Sequence, residues 1–202
     1  MTRVEMFSDG VLAIAITLLV LELPFDKVGD GELGHALGDH WARFAAYGLS
    51  FIGIGILWLH HHAIFTALAH VDRTLVLLNL ILLFCAAFLP YPTSLVGEYL
   101  SGGGSNARVA MLLYSGTWTV VSAGAGLMCR HMLRTPELLA QDVSQDGVRR
   151  LHRNFWGAAG AYLVFTLIAL VSPVATIACY GVAAVFFLFT SDFRALGKTT
   201  VD

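Results

Sequence analysis

Charged and uncharged positions alternate in long blocks along the chain. Arg3, Glu5 and Asp9 punctuate its start. Gly10 to Leu21 then runs without a charge and ends at Glu22-Leu23-Pro24. Twelve apolar residues are short for a membrane span, but adding Val4 to Ser8 and Leu23 brings the segment to about 20, the length a bilayer requires. Residues 25–40 are polar and glycine-rich and read as a loop with room for a short interfacial helical turn. Phe44 to Val71 carries no Asp, Glu, Lys or Arg, and Thr74 to Gly97 is the next long apolar run. Pro90 and Pro92 should kink or end that helix. Gly102-Gly103-Gly104 makes a flexible connection, Val109 to Cys129 is a fourth span, and Arg130 to Arg153 is polar, with a short surface helix expected from Pro136. Asn154 to Ser191 is uncharged over nearly twice the length of one span. Ser172-Pro173 divides it into a hairpin. The pattern therefore predicts an all-α integral membrane protein with six transmembrane helices in one domain, residues 1–202. The spans fall roughly at 4–24, 44–69, 74–97, 108–130, 153–171 and 173–191.

Helical spacing sorts the first span into faces at 100° per residue. Ile14, Thr17, Leu18 and Leu21 share one face at i, i+3, i+4 and i+7. Glu5, Ser8, Leu12, Ala15, Leu19 and Glu22 lie mostly on another. Arg3 and Asp9 are about 240° apart, so they cannot neutralise each other within the helix. Asp9 needs a partner from a different helix, or water. An ionisable residue at membrane depth is expensive and marks a functional site by default. In the second span Trp58, His61, His62 and Phe65 share a face and offer such partners, as does Asn79 in the third. Small-residue pairs such as Gly157-xxx-Ala161 suit close helix packing but are common in any apolar helix.

Composition agrees with a membrane setting. The chain has 202 residues, 57% hydrophobic and only 13% charged, with mean hydropathy +0.73. A soluble domain carries about 25% charged residues. The acids near the start and the missing cleavage site argue against a cleaved signal peptide. With six spans, Arg3, Arg73, Arg130, Arg134, Arg149, Arg150, Arg153, Arg194 and Lys198 fall on one side, against Lys27, Arg43 and Arg108 on the other. That asymmetry puts both termini in the cytoplasm of a multi-pass plasma-membrane protein. Glu22, Asp26, Asp30, Glu32, Asp39 and Glu98 make the outer face acidic. Such a face either attracts cations or is simply solvated.

Other chemistry finds little footing. His60-His61-His62 point 100° apart and cannot converge on one metal, and no matching mid-span histidine supports a haem. Cys85, Cys129 and Cys179 lie in apolar stretches without CxxC spacing and read as buried thiols. No Walker loop, nucleophile elbow, HExxH or dinucleotide fingerprint is present, so no enzyme activity, cofactor or nucleic-acid partner is expected. The Thr-Val-Gly-Tyr-Gly carbonyl filter of ordinary potassium channels is also missing. Tyr180-Gly181-Val182 lies within a continuous apolar span.

The motif Arg3-xxx-Phe7-Ser8-Asp9, followed by Gly10-Val11-xxx-Ala13-Ile14-xxx-Ile16-Thr17-Leu18-Leu19-Val20-Leu21-Glu22, resembles the transmembrane protein 175 family. That family comprises the lysosomal potassium channels of animals and their prokaryotic relatives. The resemblance is strong over residues 3–24 and rests on length and span count elsewhere. It implies the prokaryotic type, with six spans per subunit and a homotetramer whose first helices line the pore. Ile14, Leu18 and Leu21 match the family's hydrophobic constriction, and Thr17 its pore-facing threonine. Arg3, Phe7, Ser8 and Asp9, with His61 and Asn79, fall to the interhelical network that holds the pore helix. Glu22 and Asp26 would stand at the outer mouth. Permeant potassium ions, the lipid bilayer and three further copies of the chain are the implied partners. The expected function is a moderately potassium-selective channel of the bacterial plasma membrane. The competing reading is a secondary or proton-coupled transporter that uses Asp9, the histidines and Asn79 as a relay.

Overall fold

The computed structural model describes residues 2–23 and 29–190. Helix α1 (Thr2–Leu18) tightens into a 3-10 turn, Leu19–Glu22. After it come α2 (Leu33–Asp39), α3 (Trp41–Thr66), α4 (Arg73–Phe88), α5 (Pro90–Tyr99), α6 (Gly104–Arg134), α7 (Gln145–Ala169) and α8 (Pro173–Thr190). Arg3–Glu22, Trp41–Thr66 and Arg73–Tyr99 are long and apolar enough to cross a membrane by length and composition. The apolar helix Pro173–Phe187 is shorter. Pro24, Asp26, Ser191, Arg194 and Lys198 lie outside the described residues.

Helix bounds depart from the uncharged runs in instructive ways. The proline pair breaks the third run: α4 ends at Phe88 and α5 restarts at Pro90. Proline is tolerated in a first helical turn, where its missing N–H bond is not needed. Helix α6 has 31 residues, about 46 Å of rise, so it exceeds the ~30 Å hydrocarbon layer. It is less apolar than α1, α3 and α4, and about half of its residues are buried against the rest of the bundle. Two of its threonines bond back to the helix, Thr117 Oγ1 donating to Leu113 O and Thr119 Oγ1 to Ser115 O, both at 2.8 Å. Helix α7 begins eight residues before the predicted span and so takes Arg149, Arg150 and Arg153 into its first turns. The stretch after Pro136 gives only a 3-10 turn, Pro136–Leu138. It is pinned instead by an antiparallel bridge, in which Ala69 N donates to Leu138 O and Ala140 N to Ala67 O.

Helix α6 is the centre of the bundle and touches α4, α5, α7 and α8. Helix α1 packs on α3, α4 and α5. Two ends are fixed by local chemistry. Gly103 and Gly104 both take positive φ, 64° and 74°, which is why the α5–α6 turn is written in glycine. Asp72 caps α4 by accepting from Leu75 N at 2.8 Å and from His131 Nε2 at 2.7 Å, tying α4 to the end of α6. The Leu75 amide, with His131 beside it, holds the Asp72 carboxyl below its ordinary value.

A tryptophan knob sets the spacing of α3 and α6. A Cβ on Gly53 would lie 2.6 Å from the Trp118 ring. At Gly116 a Cβ would meet nothing within 4 Å. Gly53→Ala should therefore destabilise by about 1–3 kcal/mol through overpacking. Gly116→Ala should be neutral or stabilise by up to about 1 kcal/mol. Thermal unfolding of the two variants in detergent checks the contrast, and equal melting points would mean that the knob does not set the spacing.

Candidate functional site

Helix α1 has two faces with different chemistry. Ser8, Leu12, Ala15 and Leu19 are buried within the subunit. The opposite side is open along its whole length: Arg3, Met6, Phe7, Gly10, Ala13, Ile14, Thr17, Leu18 and Leu21 are all exposed. Ile14 is 60% exposed, Leu18 41% and Leu21 69%. These nine positions follow the i, i+3, i+4 rule without interruption from end to end. In a 3-10 turn residues i and i+3 eclipse. The turn at Leu19–Glu22 thus brings Leu21 back into line over Leu18, where a continued α-helix would carry it about 60° away.

Thr17 adds a polar ring position to this stripe. Its Oγ1 donates to Ile14 O at 2.9 Å. The hydroxyl proton is committed to the helix, so only oxygen lone pairs face outward. An exposed Thr17 can therefore accept from water or coordinate a cation.

The buried face is held by polar contacts at one end. Asn79 Nδ2 donates to Ser8 Oγ at 2.9 Å, and Ser8 Oγ donates to Val4 O at 2.8 Å. The side-chain oxygen of Asn79 lies 2.8 Å from His61 Nε2. An amide oxygen only accepts, so this network assigns the proton to His61 Nε2. Ser8, His61 and Asn79 are all buried, and they tie α1, α3 and α4 at one level. The His61 ring also stacks on Phe65 at 4.5 Å. Beside them, Trp58 Nε1 donates to Asp9 Oδ1 at 2.9 Å, and His62 Nδ1 lies 3.3 Å from Glu5 Oε1. Asp9 thus has a partner on α3, as its angular distance from Arg3 requires. Arg3 and Phe7 stay outside this cluster, on the exposed stripe.

The Glu5–His62 contact was missed from sequence, yet a signal for it exists. Glu5, Ser8 and Asp9 repeat at i, i+3, i+4, and so do Trp58, His61 and His62. Two antiparallel helices with such triplets pair them in reverse order, 5 with 62 and 9 with 58. A second network went unread: Ser50 Oγ meets Thr93 Oγ1 at 2.8 Å and Tyr114 Oη at 3.1 Å, joining α3, α5 and α6. At the other end of α3, Arg43 pairs with Glu98. That contact spends one of the predicted acids on a bridge between helices. Glu22 is half-buried at the end of the 3-10 turn.

Comparison with known proteins gives consistent matches. The family model described as endosomal/lysosomal potassium channel TMEM175 matches residues 3–90. A potassium channel of Streptomyces collinus is 39% identical over 188 residues, which is 93% of this chain and 91% of that one. A potassium channel of Chamaesiphon minutus is 34% identical over 193 residues, 94% of each chain. The crystal structure of a lysosomal potassium-selective channel TMEM175 homolog from Chamaesiphon minutus superposes with TM-score 0.80 at 30% identity. It covers 95% of this chain and 97% of that one.

The buried contact between His61 and Asn79 should show as energetic coupling. Losing either partner strands a buried polar group at about 1–3 kcal/mol. In a double-mutant cycle with His61→Phe and Asn79→Leu, the pair should be less destabilised than the sum of the singles, by about 0.5–3 kcal/mol. Thermal unfolding of the four proteins measures it, and strict additivity would show that the bond carries no stability.

Proposed function

We propose that this chain, which belongs to the TMEM175 family, is a potassium-permeable channel subunit whose α1 stripe lines the pore of a homotetramer. One helix per subunit cannot enclose a conduit, so four copies around an axis supply four α1 stripes. The observation that carries this reading is the uninterrupted exposed stripe from Arg3 to Leu21. Beyond its first turn the exposed face of α4, by contrast, is apolar and mostly bulky, with Leu77, Leu80, Ile81, Phe84 and Phe88, as a lipid-facing surface should be. The α1 stripe mixes Gly10, Ala13 and Thr17 with branched residues, and small residues let helices approach closely.

In this arrangement Ile14, Leu18 and Leu21 form three apolar rings, with Thr17 between the first two. Apolar rings make a constriction costly for water, and an ion passes by shedding part of its shell. Potassium is less tightly hydrated than sodium and loses less there. The outward lone pairs of four Thr17 hydroxyls replace some of the lost ligands. No carbonyl cage enforces full coordination, so preference for potassium is moderate. Ser8, Asp9, His61 and Asn79, with Trp58, set the rotation of α1 that presents this stripe, and Arg3 and Phe7 occupy its entrance. Glu22 stands near the opposite mouth. The six-span topology, a bacterial plasma membrane and cytoplasmic termini complete the reading, on the strength of the arginine asymmetry.

The test is electrical. Ile14→Asn should wet the first ring, raising conductance and lowering the potassium-over-sodium preference several-fold. Leu19→Met, a volume-conserving change on the buried face, should leave both unchanged. Native mass measurement should give four subunits. Selectivity that responds to Leu19→Met but not to Ile14→Asn would place the pore on another face. A stable monomer or dimer would remove the pore altogether.

A further inference from the structure

An open groove of about 820 Å³ runs between α7 and α8, away from α1. Gly157, Phe165, Cys179 and Phe186 are among its walls, and Arg153 and Asn154 stand at one end. From Arg153 to Phe165 helix α7 rises about 18 Å, close to the ~15 Å hydrocarbon depth of one leaflet. Arg153 is the last charge before the uncharged run Asn154–Ser191, so it marks the level at which the chain meets the headgroups. Arg149 and Arg150 precede it by about one turn on the same side of α7. Arg149 is engaged with Asp146 at 3.2 Å. Neither Arg150 nor Arg153 makes an ion pair among the described residues. The described part of α8 holds no charge that could answer them.

An apolar trough one leaflet long, with cations at one end only, is complementary to one kind of molecule. We propose that this groove binds one anionic phospholipid of the surrounding bilayer. Its phosphate sits on Arg153 and Asn154, and one acyl chain lies along Gly157 and Cys179 between α7 and α8. A zwitterionic lipid offers the same chain but brings an ammonium group towards Arg150 and Arg153. The site is specified by charge as well as by shape, and it does not depend on where the pore lies.

The test titrates purified full-length protein in detergent with phosphatidylglycerol, phosphatidylcholine or inorganic phosphate and counts bound lipid by native mass spectrometry. Wild type should bind phosphatidylglycerol roughly fivefold more tightly than phosphatidylcholine, the weight of about one arginine at an anionic surface. Inorganic phosphate should not compete. Arg153→Gln should erase the preference and keep chain binding. Gly157→Leu should abolish binding of both lipids, and its Cβ enters open space, with nothing within 4 Å. Alkylation of Cys179 in Cys85→Ala protein gives a second measurement that needs no groove variant. Phosphatidylglycerol should slow it several-fold more than phosphatidylcholine does. Equal binding of the two lipids by wild type, displacement by phosphate, unchanged binding in both variants, or equal Cys179 rates would each overturn the proposal.

Discussion

The rotation of α1 about its own axis is the constraint on which the rest depends, and a polar bond fixes it. In hydrocarbon an unanswered hydrogen-bonding group costs several kcal/mol, so polar side chains at membrane depth must find one another. Ser8 meets Asn79, Asn79 meets His61, and Trp58 donates to Asp9. Turning α1 by one residue, about 100°, would break all of these contacts together. Apolar packing alone tolerates such slips, since Leu12, Ala15 and Leu19 could be replaced at the interface by neighbours of similar bulk. The polar cluster therefore supplies specificity as well as stability, and it leaves one defined stripe uncovered.

How much of this is legible in the sequence depends on which periodicity carries it. The two faces of α1 can be read because its polar and branched residues obey a strict i, i+3, i+4 spacing. The partners of Asp9 can be narrowed to one face of α3 for the same reason. Pairing across helices is harder. Nothing along the chain says that Asn79 bridges Ser8 to His61, because the register of α4 against α1 is set by packing. Helix ends were also hidden. Charge-free runs mark where the chain is dry, but α6 and α7 continue as helices into the polar layers. Arg149 and Arg150 therefore fall in the polar stretch between predicted spans, although α7 already runs through them. The break at Leu89 was visible as a proline pair, while the 3-10 tightening of Leu19–Glu22 left no such mark.

Helix α6 illustrates a different limit. Serines, threonines and glycines lower its apolar character, yet it is the most enclosed helix of the bundle. Thr117 and Thr119 bond its own backbone, and one of its glycines receives a neighbour: a Cβ on Gly126 would lie 3.0 Å from Trp156 Nε1. Hydropathy measures affinity for lipid, and a helix surrounded by protein is under no pressure to have it. Length and composition alone therefore pick out the less enclosed helices α1, α3 and α4 more readily than the central one.

The same argument bears on the α1 stripe. Positions 3, 7, 10, 14, 17 and 21 follow the alternating four–three spacing of a heptad seam, which drifts about 20° per heptad on a straight α-helix. From Arg3 to Leu21 is eighteen residues, five whole turns, so a straight α-helix brings the last position back to the line of the first. The positions between stray by about 40° at most to either side, so even without supercoiling the stripe stays one face over the length of the helix. A lipid-facing helix has no reason to keep its exposed side chains in line. A helix whose side chains must meet those of other copies at an axis does, and over five turns the spacing of this stripe satisfies that demand with little adjustment.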